Sequence, residues 1–267
     1  MTKKKAEKPA EKIVEEEPAE PEELLEEIAK EAAVPDVAAE EPAAVAAPVE
    51  RPRETDWIPK TKLGNEVLAG KYRSIGEILE KGVLILEPEI VDYLIPDIVN
   101  EVVYIGGSPG KGGGIRRTAT KMTARMHKSG RRFKLSALAI VGNCNGIVGI
   151  GRSISNEHRT AMEKAVRTAK LNVIRVVRGC GSWECGCGGS HSIPFKVSGK
   201  SGSVEVTLLP APKGLGMVAS EETRKLLKLA GINDIWVKTS GKTDTRTNLV
   251  QAVFEALKNL NSGKGDL

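Results

Sequence analysis

Aromatic residues are scarce: three Phe, three Trp and three Tyr make up 3% of 267 residues. That argues against the row of exposed rings on which single-strand nucleic-acid binders stack bases. Histidine numbers three and cysteine four, and three of the cysteines fall between positions 180 and 187. So few thiols, so unevenly spread, do not form the disulfide framework of a small secreted scaffold. No apolar run reaches about eighteen residues, so nothing is predicted to span a membrane. The opening MTKKKAEKPAEKIVEEEPAE lacks the apolar centre of a secretory signal. The expected location is cytoplasmic.

Catalytic patterns are missing as well. GGSPGKGGG resembles a phosphate-binding loop, but Ile105 stands where the first glycine is needed and Gly112 follows Lys111 in place of Ser or Thr. Ser201 and Ser240 do not sit in a nucleophile elbow. His127 has no carboxylate near it in sequence, since none occurs between Glu101 and Glu157. His158 has only its immediate neighbour Glu157, which is not the separately positioned partner that acid–base work needs. These two histidines are expected to be solvated or structurally satisfied, and no enzyme activity is predicted.

Acid is the most informative absence. Residues 102–156 contain no Asp or Glu, yet they hold Lys111, Arg116, Arg117, Lys121, Arg125, Lys128, Arg131, Arg132, Lys134 and Arg152. A solvated face normally mixes signs, because like charges repel. A one-signed stretch of this length implies a dense negative partner. Arg131 and Arg132 in SGRRF can fork onto phosphates, while Phe133 anchors the strand or stacks on a base. The same asymmetry runs through the whole chain. Residues 1–50 carry fifteen acidic against six basic side chains, and the remainder 20 against 34. Few aromatics and many cations favour recognition of folded RNA by backbone and shape.

The chain is expected to be α+β and to divide as follows. Residues 1–54 form a disordered acidic tail rich in Ala, Glu and Pro. Residues 55–96 are a short helical segment, with SIGEILEKG ending at Gly82 and PEIVDYLIP stopping at Pro96. Residues 97–178 form a β-β-β-α domain. VNEVVYI is a strand, GGSPGKGGG a flexible loop tip leading into a basic stretch, and RFKLSALAIV and IVGIG a hairpin turned at Asn145-Gly146. A helix capped by Ser155 or Asn156 runs to about Leu171, with Ala161, Met162, Ala165, Val166 and Ala169 on one stripe. Residues 179–191 are a Cys/Gly-rich linker. Residues 192–267 form a β-β-α-β-α domain with strands SIPFKV, SVEVTLLP and INDIWVKTS, and helices EETRKLLKLAG and NLVQAVFEALKNL.

The linker CGSWECGCGGSH leaves three readings open. Cys180, Cys185, Cys187 and His191 offer four soft donors in C-x4-C-x-C-x3-H order, the number a structural zinc ion takes, and Trp183 could shield such an ion. A metal-free packed loop and a reversible thiol pair are the other two. A C-x-C disulfide makes a small strained ring, which weighs against the last. Cys144, beside the Asn-Gly turn, is expected to be a buried structural thiol.

Several stretches together resemble the family of the fifth protein of the small ribosomal subunit, in its archaeal form. They are WIPKTKLG, EPEIVDYLIPD, SGRRFKLSALAIVGNCNGIVGIG, the run from Arg178 to Ser220 that includes PAPKGLG, LAGINDIWVKTSG and AVFEALKNL. The resemblance implies a first domain similar to double-stranded-RNA-binding modules and a second of the ribosomal-fifth-protein type. It implies binding to small-subunit ribosomal RNA near the decoding region, and contacts with the fourth and eighth proteins of that subunit. It also implies proximity to messenger RNA where it enters the ribosome, with a contribution to translational accuracy and subunit assembly. On this basis Ser129–Lys134 falls on the family's RNA-facing basic loop, and Gly142, Asn145, Gly146, Gly149 and Gly151 on its tight hairpin. Asn143 stands where relatives usually have an acid, and so does Lys128. Lys213 in PAPKGLG is a further candidate phosphate contact, on a loop where Gly214 and Gly216 permit positive φ. Eukaryotic relatives lack the full Cys/His set, so metal is not a requirement of the fold in general. A free-standing double-stranded-RNA-binding protein would account for the first domain alone. An RNA-modifying enzyme would need a nucleophile or cofactor loop that the sequence does not offer.

Overall fold

The computed structural model describes residues 57–110 and 112–262. The predicted tail at 1–54, and with it the expectation of disorder there, lies outside the described residues. So does Lys111.

Three short helices open the described chain: α1 (Lys62–Leu68), α2 (Ile75–Glu80) and α3 (Glu89–Leu94). Each start has a local cause. Thr61 caps α1 by accepting the Gly64 amide at 3.1 Å, and one Glu87 oxygen accepts the amides of Lys60 and Thr61 at 2.8 Å each. α3 follows Pro88 and stops before Pro96. Their apolar sides, among them Leu63, Val67, Ile78, Ile90 and Val91, close over Val173 to form one small core. Ion pairs tie this segment to the next: Lys170 to Asp92 at 2.7 Å, and Arg175 to Glu80.

The first sheet is built around one long strand. β1 (Val99–Val102), β4 (Thr120–His127), β5 (Gly130–Gly142), β6 (Ile147–Ser155) and β7 (Val173–Arg175) share it, in order β1-β5-β6-β7, with β4 also on β5. β4 pairs with the first half of β5, from His127↔Gly130 to Thr120↔Ala137. β1 takes the second half on the same edge, from Val102↔Ala139 to Val99↔Gly142. β6 lies along the other edge only from Leu135 onward. The sheet therefore narrows before Leu135, where Gly130–Lys134 of β5 pairs with β4 alone, into a two-stranded ribbon.

Period-two alternation gives this sheet two buried faces. Ala137 and Ala139 meet α4 (His158–Leu171) through its Ala161 and Ala165. Glycine makes the approach close: a Cβ on Gly151 would lie 2.2 Å from the Ala165 carbonyl oxygen, and one on Gly149 2.3 Å from that of Ala169. The opposite face, with Leu138, Ile140, Val148 and Ile150, joins the main core shared with the C-terminal layer. That layer is a sheet ordered β10-β11-β9-β8, from β8 (Val197–Ser201), β9 (Val204–Pro210), β10 (Met217–Val218) and β11 (Ile235–Ser240). It packs with α5 (Glu221–Leu229) and α6 (Arg246–Ser262). Val206, Leu208, Leu226, Ile235, Val253 and Leu257 are fully buried there, as the alternation in SVEVTLLP and the stripe of the last helix predict.

The β5–β6 turn at Asn145-Gly146 is present. Asn143 Oδ1 accepts the amides of Asn145 at 2.8 Å and Ile147 at 3.2 Å, so an amide does here what a carboxylate would do. The turn also docks on the end of α5. The amides of Cys144 and Gly146 donate to the carbonyls of Leu229 and Ala230 at 2.9 and 3.1 Å, satisfying groups the helix end leaves open.

Five expectations are corrected. GGSPGKGGG and the basic stretch after it are not simply loop: β2 (Gly106–Pro109) pairs with β3 (Ile115–Thr118), and β4 follows at once. SIPFKV is not a strand. Only Ser192 forms a bridge, to Gly179, and β8 begins at Val197 because Pro194 cannot donate to a ladder. Ser155 ends β6, and Glu157 takes the cap position of α4 without a side-chain bond. Cys144 is exposed at φ 55, since it occupies a left-handed turn position. Trp183, 93% exposed, shields nothing. Among the described residues no helix is long and apolar enough to cross a membrane.

Candidate functional site

Pairing in the ribbon decides which cations act together. Arg125 lies opposite Arg132, Thr123 opposite Lys134 and Lys121 opposite Ser136, so these side chains share one face with Leu138 and its partner Arg152. The second face carries Met122, Met126, Arg131 and Phe133. Arg131 lies over the Phe133 ring at 4.9 Å, and Met122, Met126 and Phe133 are 62%, 78% and 44% exposed. Arg131 and Arg132 are neighbours in sequence and opposites in space, so they do not form one fork. Lys128 sits in the turn between β4 and β5, with Ser129 accepting from Arg132 at 3.1 Å.

Like charges directly across a strand pair repel, and Arg125 and Arg132 are placed that way. Among the described residues no carboxylate pairs with Lys121, Arg125, Lys128, Arg131, Arg132, Lys134 or Arg152. Arg116 and Arg117 are not on the ribbon. They stand on β3, bordering an open groove of about 450 Å³ with Thr120 and His158. His158 Nδ1 meets the Thr120 hydroxyl at 2.6 Å, the satisfied histidine expected there.

The linker brings its four donors together. Cys180, Cys185, Cys187 and His191 present ligand atoms that all lie within 4.8 Å of one another, with Cys185 Sγ 3.8 Å from His191 Nε2. A tetrahedral zinc ion holds thiolate and imidazole donors at about 2.0–2.3 Å, which sets them ~3.3–3.8 Å apart. The set can therefore coordinate a structural zinc after a small inward movement. The Lys213 backbone amide, with the amide and thiol of Cys187, lowers the Cys185 thiol to about 6, favouring the thiolate that binds metal. Partial desolvation and the neighbouring thiols push Cys180 the other way.

One participant has no sequence signal. Asp234, 43 positions after His191, accepts at Oδ2 from His191 Nδ1 at 2.9 Å. Its Oδ1 accepts the amides of Gly214 and Gly216 at 3.1 and 2.8 Å. Those glycines have φ of 94 and 77, as PAPKGLG suggests, and the Lys213 side chain beside them is exposed.

Comparison with known proteins agrees with this architecture. Residues 117–177 match the model of the ribosomal protein S5 N-terminal domain and 199–266 that of its C-terminal domain. Small ribosomal subunit protein uS5 of Methanocaldococcus jannaschii is 48% identical over 206 residues, 77% of this chain and 88% of that protein. The Methanocorpusculum labreanum protein is 48% identical over 205 residues, 77% of this chain and 93% of the relative. For Staphylothermus marinus the figures are 45% over 203, with 76% and 88% covered. The chain belongs to the uS5 family. In this uS5 member the N-terminal match takes in β4, β5, β6 and α4, the elements that carry the ribbon and its support.

Proposed function

We propose that this chain is a structural, RNA-binding constituent of the small ribosomal subunit, not an enzyme, and that the β4–β5 ribbon is its main contact with ribosomal RNA. One observation carries the reading: a strand-paired cationic face, including two arginines directly opposed, without a counter-carboxylate among the described residues. Such a face costs free energy alone and regains it against phosphate. Lys121, Arg125, Arg132, Lys134 and Arg152 form the phosphate-facing side. Arg131 and Phe133 offer a ring and guanidinium to an unstacked base on the other. Arg116, Arg117 and Lys128 extend the cationic surface, and Lys213 adds a contact from the C-terminal layer. In this reading 97–178 is the RNA-binding part, 179–191 the linker and 192–267 the part that meets protein neighbours.

The finer placement follows the family. The chain lies near the decoding region and the channel by which messenger RNA enters, touches the fourth and eighth proteins of the subunit, and contributes to accuracy and assembly. In lysate the chain should sediment with small subunits at low and moderate salt, whereas a free-standing binder would stay light or dissociate. Cross-linking of purified subunits should join residues 192–262 to the fourth and eighth proteins. Cross-links confined to other subunit proteins would move that interface.

A further inference from the structure

The RNA-facing ribbon shares no residue with the Cys/His linker, so the linker calls for its own explanation. Between Gly181 and Ser190 no side chain is buried, and none belongs to a hydrophobic cluster. A loop held by packing would show the opposite. What converges instead is three sulfurs and an imidazole.

The imidazole is held ready for a metal. An ionised carboxylate only accepts, so Asp234 Oδ2 at 2.9 Å requires the proton of His191 on Nδ1. In the neutral imidazole, the form that ligates a metal, the lone pair is then on Nε2, the nitrogen facing Cys185 Sγ. Both groups are nearly buried, with side chains 10% and 7% exposed. The backbone repeats the connection, because the amides of Asn233 and Asp234 donate to the His191 carbonyl at 2.9 and 3.2 Å. The other Asp234 oxygen gathers Gly214 and Gly216, which sit in the left-handed region that glycine tolerates.

We propose that Cys180, Cys185, Cys187 and His191 hold one structural zinc ion, and that Asp234 is a positioning residue linking this ion to the Pro212–Gly216 loop. His191 is oriented by the same carboxylate that shapes the loop, so metal binding and loop order are coupled. Four protein ligands leave no open position, and the ion is a staple without a reaction of its own. The coupling is independent of the RNA reading: it holds or fails in the free chain.

Asp234→Asn separates the two links. With its oxygen toward the glycine amides, the introduced carboxamide turns its NH2 toward His191 and forces the proton onto Nε2, the metal-facing nitrogen. With its oxygen toward His191, it loses both loop bonds. Full-length wild type purified without chelator should contain about one zinc per chain by elemental analysis. Its cobalt-substituted form should show the absorption of tetrahedral thiolate ligation. Asp234→Asn should bind zinc roughly 10–100-fold more weakly with all thiols present, and Cys185→Ser more weakly still. Chelation should abolish amide-exchange protection at Gly214 and Gly216 while α4 stays protected, which also reports that each variant is folded. Wild type without bound zinc, both alone and in purified subunits, overturns the site, as does a Cys185–Cys187 disulfide in freshly purified chain. Unchanged zinc affinity in Asp234→Asn overturns its positioning role. Loop protection that survives chelation overturns the coupling.

Discussion

The two halves of β5 are one strand with two environments. From Leu135 to Gly142 every residue is buried, between α4 on one face and the C-terminal layer on the other. From Gly130 to Lys134 none is buried and three of five are basic. At ~3.4 Å per residue the strand is roughly 44 Å long, long enough for one end to be core while the other reaches into solvent. The difference teaches that the exposed half owes its place to the buried half: hydrogen bonding to β4 continues a ladder whose position the core has already set.

Substitutions can break that comparison, and the largest effect should come from the buried half. Ile140, fully buried in the shared core, should cost about 2–5 kcal/mol when replaced by Ala, measured by denaturant unfolding of the full chain. A loss well under 1 kcal/mol would mean that the two layers are not joined there. Gly151→Ala comes next. Its Cβ would fall 2.2 Å from the Ala165 carbonyl oxygen, so the sheet and α4 must part, at a cost of about 1–3 kcal/mol. Stability equal to wild type would contradict the close approach.

In the exposed half stability and binding should separate. Arg125→Ala with Arg132→Ala should leave unfolding unchanged or slightly improved, because opposed like charges are removed. The salt dependence of ribosomal-RNA binding should fall by about 1.5–2 in log–log slope. Arg131→Ala, on the other face, should change the slope less. Equal slopes for Arg131→Ala and Arg132→Ala would abolish the distinction between faces. At equal occupancy in ribosomes, the double variant should also alter reporter misreading. Smallest of all should be Asn143→Asp: a carboxylate can accept the same Asn145 and Ile147 amides, so stability should shift by no more than about 0.5 kcal/mol.

Elements with their own local signal were legible in the sequence. The turn followed from Asn145-Gly146 and α4 from its Ala stripe. The last helix followed from the spacing of Leu249, Val253, Phe254 and Leu257, all buried. β2, β3 and β4 were not legible as strands. GGSP has almost no side chains to pattern, and TKMTARMH alternates cations with Met and Ala outside any core, so its strand character comes from pairing with β5. The cations of the candidate site were visible as an acid-free run, but their division between two faces depends on register, which composition does not encode. The Cys/His donors were visible through spacing. Asp234 was not, because nothing near position 191 points to a carboxylate brought in by the β11 end of another layer.

Glycine at the sheet–helix contacts has a volumetric consequence. At Gly149 and Gly151 the sheet meets the backbone of α4 directly, and at Gly199 a Cβ would lie 2.3 Å from the Ala252 carbonyl oxygen of α6. Backbone against backbone leaves little empty space at either contact. Hydrostatic pressure unfolds proteins largely by eliminating internal voids, so these two seams give pressure little to work on. They should be among the last parts of the molecule to yield to compression, whatever heat or denaturant does to the rest.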